Sequence, residues 1–236
     1  MTTNEDLSII VSYHDVNKLN INKIKDYCRR FTNKVYMINN EKYCSDKLMN
    51  LKKKYPFVGV QFDEFNAQSY YCDKMTDKQT EYVYHIHYRR YIDTNKREIE
   101  NNINEKTIFC PINEEYEHIT MYDFFEHHVV KHDKKSLLNL KDVLSKVFDI
   151  SITGVDNILK KEFNSREMYI IHQSLQKRLV ETGYKFIDTY CKYMPQKHLK
   201  QKRNIGYSLE GFVSFFFSVL EEFEGYRLIK NKYKLF

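Results

Sequence analysis

The sequence predicts an α/β protein in which a central, mostly parallel sheet is followed by a helical C-terminal half. Three observations lead there. The opening of the chain alternates short β-branched runs with segments of helical periodicity, the pattern of βα units. From Thr120 onward the apolar residues recur at helical spacing. Six glycines and three prolines in 236 residues are too few for the many tight turns of an all-β protein, and 42% hydrophobic against 30% charged residues is the balance of a globular chain with a core.

The elements follow in order. LSIIVSY (7–13) reads as a buried strand with polar HDVN after it. INKIKDYCRRF (21–31) has apolar residues at 21, 24, 27, 28 and 31, a helical face. KVYMI (34–38) is a second strand. CSDKLMNLKKKY (44–55) is a helix with Ser45 or Asp46 as its N-cap. YPFVGVQF (55–62) is a third strand, TEYVYHIHY (80–88) a fourth, and TIFCPI (107–112) a short one. TMYDFFEHHVVKH (120–132) and KSLLNLKDVLSKVF (135–148) are helical. The segment from 166 to 194 opens strand-like at MYII and continues as a helix. SLEGFVSFFFSVLEEF (208–223) is a strongly apolar helix capped by Ser208, and a last strand lies in GYRLIKNKY (225–233). Neither a repeat nor a linker interrupts the chain, so one domain over 1–236 is expected, with an α/β half (1–119) and a mainly helical half (120–236).

Composition narrows the function classes. A net charge of +6 suits an anionic small ligand. KKSLLNLK and KHLKQKR are short solvated faces, not the dense basic stripe of a nucleic-acid binder, so no nucleic-acid partner is expected. Five cysteines without CxxC spacing fit a reducing compartment. The N-terminus is no signal peptide, and GFVSFFFSVL is about half a membrane span. The expectation is a cytoplasmic protein with, at most, peripheral membrane contact. GxGxxG, GxxxxGK[ST] and GxSxG are all missing, which argues against a Rossmann dehydrogenase, a P-loop ATPase and an α/β-hydrolase.

Ligands of open α/β sheets bind beyond the carboxyl ends of the strands. Two strands end there in polar residues: Tyr13-His14-Asp15 and His87-Tyr88-Arg89-Arg90. A guanidinium fork matches phosphate oxygens, and Tyr88 or Tyr91 could stack on a base. The competing reading is a pair of surface arginines matched to acids. His85 and His87 share a strand face, and His128 and His132, followed by Asp133, stand one helical turn apart. Such pairs can hold zinc, but HExxH would need a glutamate inside the second pair, where Val129, Val130 and Lys131 stand, and Lys131 is a poor neighbour for a cation. Asp63-Glu64 is a paired carboxylate or a solvated turn. Glu210 falls in the first turn of the apolar C-terminal helix, as a capping residue or as a base facing a cleft.

Several of these segments, in order, resemble the motifs of the DUF4422 group of glycosyltransferase-like proteins: IIVSYH (9–14), YYCDKMT (70–76), HYRRY (87–91), MYDFFEHHVVKHD (121–133), the stretch 166–190 and RNIGYSLEGF (203–212). HYRR after a strand is the most specific of them. The resemblance implies a GT-A-like fold that uses a nucleotide-sugar, a UDP-sugar foremost, and a glycan or lipid-linked glycan acceptor in surface-polysaccharide synthesis. The 1–119 half would then bind the donor and the 120–236 half face the acceptor. It implies donor-side roles for Ser12, Tyr13, His14, Asp73, His87, Tyr88, Arg89 and Arg90. Arg203, Tyr207, His128 and Asp133 fall on the acceptor side, with Glu210 as the base of an inverting transfer. No D-x-D motif is present, so the arginines stand where a divalent metal (manganese or magnesium) usually bridges to the diphosphate, and the metal requirement stays open. The alternatives are a metal-dependent hydrolase or phosphoesterase built on His85, His87, His128 and His132, and an inert nucleotide- or glycan-binding module.

Overall fold

The computed structural model describes residues 6–15, 17, 19–56, 62, 64–75, 80–112, 119–164, 167–201 and 203–236. Strands β1 (Leu7–Tyr13), β2 (Val35–Asn39) and β3 (Tyr82–His87) form the parallel core of one sheet, with β1 in the middle of the three. Helices α1 (Ile21–Cys28), α2 (Asp46–Lys54) and α3 (Phe65–Lys74) lie between these strands in sequence. Ser45 caps α2, accepting from the Leu48 N–H, as the sequence predicts. The expected third strand at 55–62 lies mostly outside the described residues.

β3 turns through Tyr88-Arg89 into β4 (Arg90–Ile92), which runs antiparallel to it with His87 opposite Arg90. A short helix α4 (Lys96–Asn102), capped by Asn95, leads to β5 (Thr107–Pro111). The second half is largely helical: α5 (Met121–Phe124), a π-helical turn (Phe125–Val130), α6 (Lys134–Phe148), α7 (Ile152–Leu159), α8 (Gln173–Tyr193), α9 (Gln196–Leu199) and α10 (Asn204–Glu224). It also returns three strands to the sheet, β6 (Tyr169–His172), β7 (Arg227–Asn231) and β8 (Tyr233–Leu235). The path through the sheet is β2-β1-β3-β6-β5-β7, with β4 bridging β3 and β8. β6 enters antiparallel between β3 and β5, so strands from both halves of the chain share one sheet.

Period-two alternation sorts β3 between two layers. Tyr84 and Ile86 pack with Ile9, Val11 and the α1 residues Ile24, Tyr27 and Cys28 on one side. His85 and His87 face the other way, His85 against Tyr169, which belongs to the larger core built around α8 and α10. α10 is the centre of that core. From Ser208 to Leu220 every residue is buried except Glu210. Buried Phe212, Phe215, Phe216 and Phe217 each contribute about 2–3 kcal/mol of transfer free energy. The apolar run read as half a membrane span is thus a core helix, and no helix among the described residues is long and apolar enough to cross a membrane.

Two expectations need correction. α10 begins at Asn204, one turn before Ser208, with Arg203 at its N-cap in the left-handed region. Glu210 is therefore in the second turn, beyond reach of the N-terminal dipole. The 120–132 segment is not a regular helix either. Its α-helical turn widens into the π-turn, and Lys131 and His132 both take positive φ (51° and 63°). That breaks the i, i+4 relation on which the His128/His132 pairing rested.

Candidate active site

The carboxyl end of β3 opens into a cleft closed on its far side by the π-turn and α10. It is lined by two sets of side chains. Glu64, His87, Arg89 and Arg90 come from the sheet side; Phe124, His128, Phe163, Glu167, Arg203, Tyr207 and Glu210 come from the helical side. Eight of the residues singled out in the sequence (Glu64, His87, Arg89, Arg90, His128, Arg203, Tyr207 and Glu210) meet here, although they are spread over more than half the chain.

Each is placed by a local cause. The tight β3–β4 turn puts Arg89 at its tip and Arg90 directly after it, so the two guanidinium groups reach the cleft mouth without leaving the sheet. Arg89 lies over the Tyr88 ring (5.1 Å) and Arg90 over Tyr233 (5.8 Å), which limits the freedom of both side chains. The Phe236 N–H donates to the Arg89 carbonyl (3.1 Å), tying the turn to the C-terminal strand. Across the cleft, the π-turn holds the His128 ring between Phe124 (4.9 Å) and Tyr207 (5.3 Å). Gly211 makes this approach possible: a Cβ there would lie 2.5 Å from the Phe125 ring. The guanidinium of Arg203 caps the Tyr207 face at 5.2 Å.

Glu64, at the start of α3, joins the two strand ends. His87 Nε2 lies 3.2 Å and His14 Nε2 3.6 Å from Glu64 Oε1. Burial works to raise the Glu64 carboxyl, but the hydrogen bonds from His14 and His87 outweigh it and hold it well below the usual carboxylate range. Burial pushes the His87 imidazole below its ordinary value; Glu64 opposes that, while Arg89 and Arg90 reinforce it. Glu64 is thus a fixed negative charge and His87 a neutral ring.

His14, Glu64 and His87 are also the group among the described residues whose ligand atoms lie close enough for a metal ion, all within 4.8 Å. The hydrogen bonding of His87 does not fit that use. Its Nδ1 accepts the Arg89 backbone N–H at 3.2 Å, so the proton of the neutral ring is on Nε2 and is donated to Glu64. A metal ligand would need the Nε2 lone pair instead.

The other expected residues lie elsewhere. Ser12 is buried within β1 and donates to the Ile86 carbonyl (3.3 Å). Tyr13 packs against the α1-side core. Tyr88 is buried beneath Arg89 and against His87 (4.3 Å), which leaves it no face for a base. Asp73 is in the last turn of α3, at the opposite end from Glu64, and accepts from the Tyr184 hydroxyl (3.3 Å). Asp133 caps α6 and pairs with Lys197 and His198, a structural role outside the cleft. The four histidines of the hydrolase reading do not converge. His85 is fully buried, His132 is exposed beside Glu126 (3.8 Å), and His87 and His128 stand on opposite walls.

His85 has a distinct consequence. Its Nδ1–H donates to the Glu167 carbonyl, and burial pushes its pKa from 6.5 to about 4. The unfolded chain therefore binds a proton that the folded chain refuses between those values. Stability is fully present above pH 6.5 and falls as the pH drops toward 4, by about 3 kcal/mol in all. Urea melts across this window are expected to show that loss in the wild type and a flatter profile in His85→Asn, whose amide keeps a donor near the Nδ1 position.

Residue reasoning alone did not single out Phe124, Phe163 or Glu167 as cleft residues. Glu64 was visible only as half of an acidic pair, and its partner Asp63 lies outside the described residues.

No family model matches the chain, and no curated protein does. Among solved structures the chain is similar to the apo structure of WbbM, a bifunctional glycosyltransferase, with a TM-score of 0.56 and 12% identity. The match covers 98% of this chain and 45% of that one, so the chain spans about half the length of that protein. The likeness shows a shared fold: this chain has a glycosyltransferase-like α/β architecture.

Proposed function

We propose that the protein is a glycosyltransferase that moves a sugar from a nucleotide-sugar, a UDP-sugar foremost, to a hydroxyl of a glycan or lipid-linked glycan, with inversion. The observation that carries this reading is the cleft itself: paired arginines on a strand-exit turn face a carboxylate, Glu210, on the opposite wall of a glycosyltransferase-like fold. In the proposed reaction Arg89 and Arg90 bind the diphosphate and offset the charge that develops as it leaves. His87, held by Glu64, steadies the turn from beneath. Glu210 takes the proton of the acceptor hydroxyl as it attacks the anomeric carbon from the opposite face. A divalent ion, where one takes part, would supply further charge at the diphosphate; the hydrogen bonding of His87 disfavours its residence at the His14–Glu64–His87 cluster.

A thermal-shift panel of UDP-, GDP-, CMP- and dTDP-sugars, with and without manganese, tests the reading. One nucleotide class is expected to stabilise the protein, by about 2.7 kcal/mol at a hundredfold excess over Kd. Indifference to every nucleotide-sugar would refute it, and activity lost with EDTA and restored by manganese would refute its metal-free form.

A further inference from the structure

Two short basic runs, KKSLLNLK (134–141) and KHLKQKR (197–203), read singly as solvated faces. The fold brings them together. Lys197 pairs with Asp133 at the cap of α6, and His198 Nε2 lies 2.8 Å from Ser136 Oγ, so α9 is held against the first turn of α6. One turn further on, the Asn139 side chain donates to the Tyr193 carbonyl (3.2 Å) and fixes the end of α8 beside them. Lys134, Lys135, Lys197 and Lys200 are all exposed; Asp142, an exposed acid on the same stripe of α6, offsets one of these charges.

Helix stability does not explain the charge. Lys134 and Lys135 occupy the first turn of α6, at the positive end of the helix dipole, where lysine is unfavourable, and that turn contains no acidic residue. Apolar side chains stand among the lysines: Leu138 is 61% exposed and Tyr193 46%. Lys146 lies over the Tyr193 ring at 3.7 Å and covers one of its faces. The surface also borders the cleft. The turn at Lys131–Asp133 leads from the π-turn into α6, and α9 leads through Arg203, a cleft residue, into α10.

An anionic bilayer matches all of these features. Lysine ammonium groups meet headgroup phosphates while their stems lie along apolar surface. A leucine enters the acyl boundary, and a tyrosine favours the headgroup level. A nucleic acid would use the charge but leave Leu138 in water. We propose that this face of α6, α9 and the end of α8 docks the protein on an anionic lipid bilayer, with the helical wall of the cleft turned toward the membrane. The glycosyltransferase reading enters only through the acceptor, since such docking holds a lipid-linked glycan beside the cleft. A few lysines and one leucine make a weak anchor, so the binding is reversible and sensitive to salt.

Co-sedimentation of the full chain with vesicles tests this. The wild type is expected to sediment with an equal mixture of phosphatidylcholine and phosphatidylglycerol, to ignore phosphatidylcholine alone, and to be released by salt. Each lysine lost near an anionic surface weakens partitioning about fivefold, so Lys134→Gln/Lys135→Gln/Lys200→Gln is expected to bind about a hundredfold more weakly. Leu138→Gln is expected to bind about tenfold more weakly. Neither variant is expected to melt below the wild type or to change nucleotide affinity, because these side chains are exposed and lie outside the cleft. A wild type that does not sediment with the mixed vesicles overturns the proposal, as do variants that sediment as the wild type does. Retention on single-stranded RNA without vesicle binding gives the face to a nucleic acid, and a dimer lost in Leu138→Gln without vesicle binding gives it to a second copy; either result overturns the proposal. Vesicle binding by a protein that binds no nucleotide-sugar upholds this surface and refutes the glycosyltransferase reading. Nucleotide-sugar binding without vesicle binding overturns this surface and leaves that reading standing.

Discussion

Glu210→Gln is expected to lower kcat for sugar transfer about a hundred- to ten-thousand-fold, with nucleotide binding and Tm close to those of the wild type. The range is the usual contribution of a positioned general base. The amide keeps the shape of the carboxylate and removes only its basicity, and Glu210 is the break in an otherwise buried stretch of α10, so the core around it need not adjust. Among the described residues three carboxylates line the cleft, and they are not equivalent. Glu64 is a poor base because two imidazoles already hold its charge. Glu167 is nearly inaccessible and fixed by a strained backbone. Glu210 projects from a rigid helix opposite the arginines, where an acceptor hydroxyl would approach. Single-turnover transfer rates for the three glutamine variants check the assignment. Full activity in Glu210→Gln, with loss in one of the others, would move the base to that residue.

Much of the fold could be read from the chain because its signals were local. The β-branched run at 7–13, the Ser45 cap, the short strand at TIFCPI, the strand-to-helix change at MYII and the last strand near residue 227 all appear as expected. Tertiary context decided the remainder. The pairing of β6 antiparallel into the middle of the sheet depends on contacts far apart in sequence. The early start of α10 was hidden because Asn204 and Gly206 read as loop residues, yet both are buried: the Asn204 side chain accepts from Tyr190 and donates to the Val129 carbonyl. The π-turn left no mark in the spacing of FFEHHVV, whose apolar residues suit a regular helix equally well.

The site was legible in the same proportion. Arginines at a strand exit and a carboxylate on an apolar helix are residue-type signals, and both led into the cleft. The roles of Tyr88 and Asp73 could not be read that way. A tyrosine next to arginines suggests stacking on a ligand, but the two-residue turn buries Tyr88 under Arg89. Asp73 follows Cys72 in a motif-like stretch, but its helix carries it away from the strand ends. Residue type alone did not place Glu167 in the cleft, because its left-handed backbone angle has no residue code.

The paired substitution Arg89→Ala/Arg90→Ala is expected to reduce transfer about a thousandfold or more. Removal of one preorganised donor from a site of developing negative charge typically costs a hundred- to a thousandfold, and two are lost here. Part of the loss falls on donor affinity, because the same groups meet the diphosphate in the ground state. Salt should discriminate the two contributions: partly exposed charges are screened, so the wild-type Kd for the donor should rise with ionic strength and that of the double variant much less. Arg89→Lys/Arg90→Lys keeps the charge but loses the planar fork, and it should fall between the two. The backbone provides a control on folding. The His87–Arg90 pairing, the β4–β8 ladder and the Phe236-to-Arg89 hydrogen bond are all main-chain contacts that alanine retains. A Tm near wild type with activity lost therefore assigns the loss to the guanidinium groups. Undiminished transfer in the alanine pair would remove the charge role from the turn, and with it the reason for two adjacent arginines at the end of a buried strand.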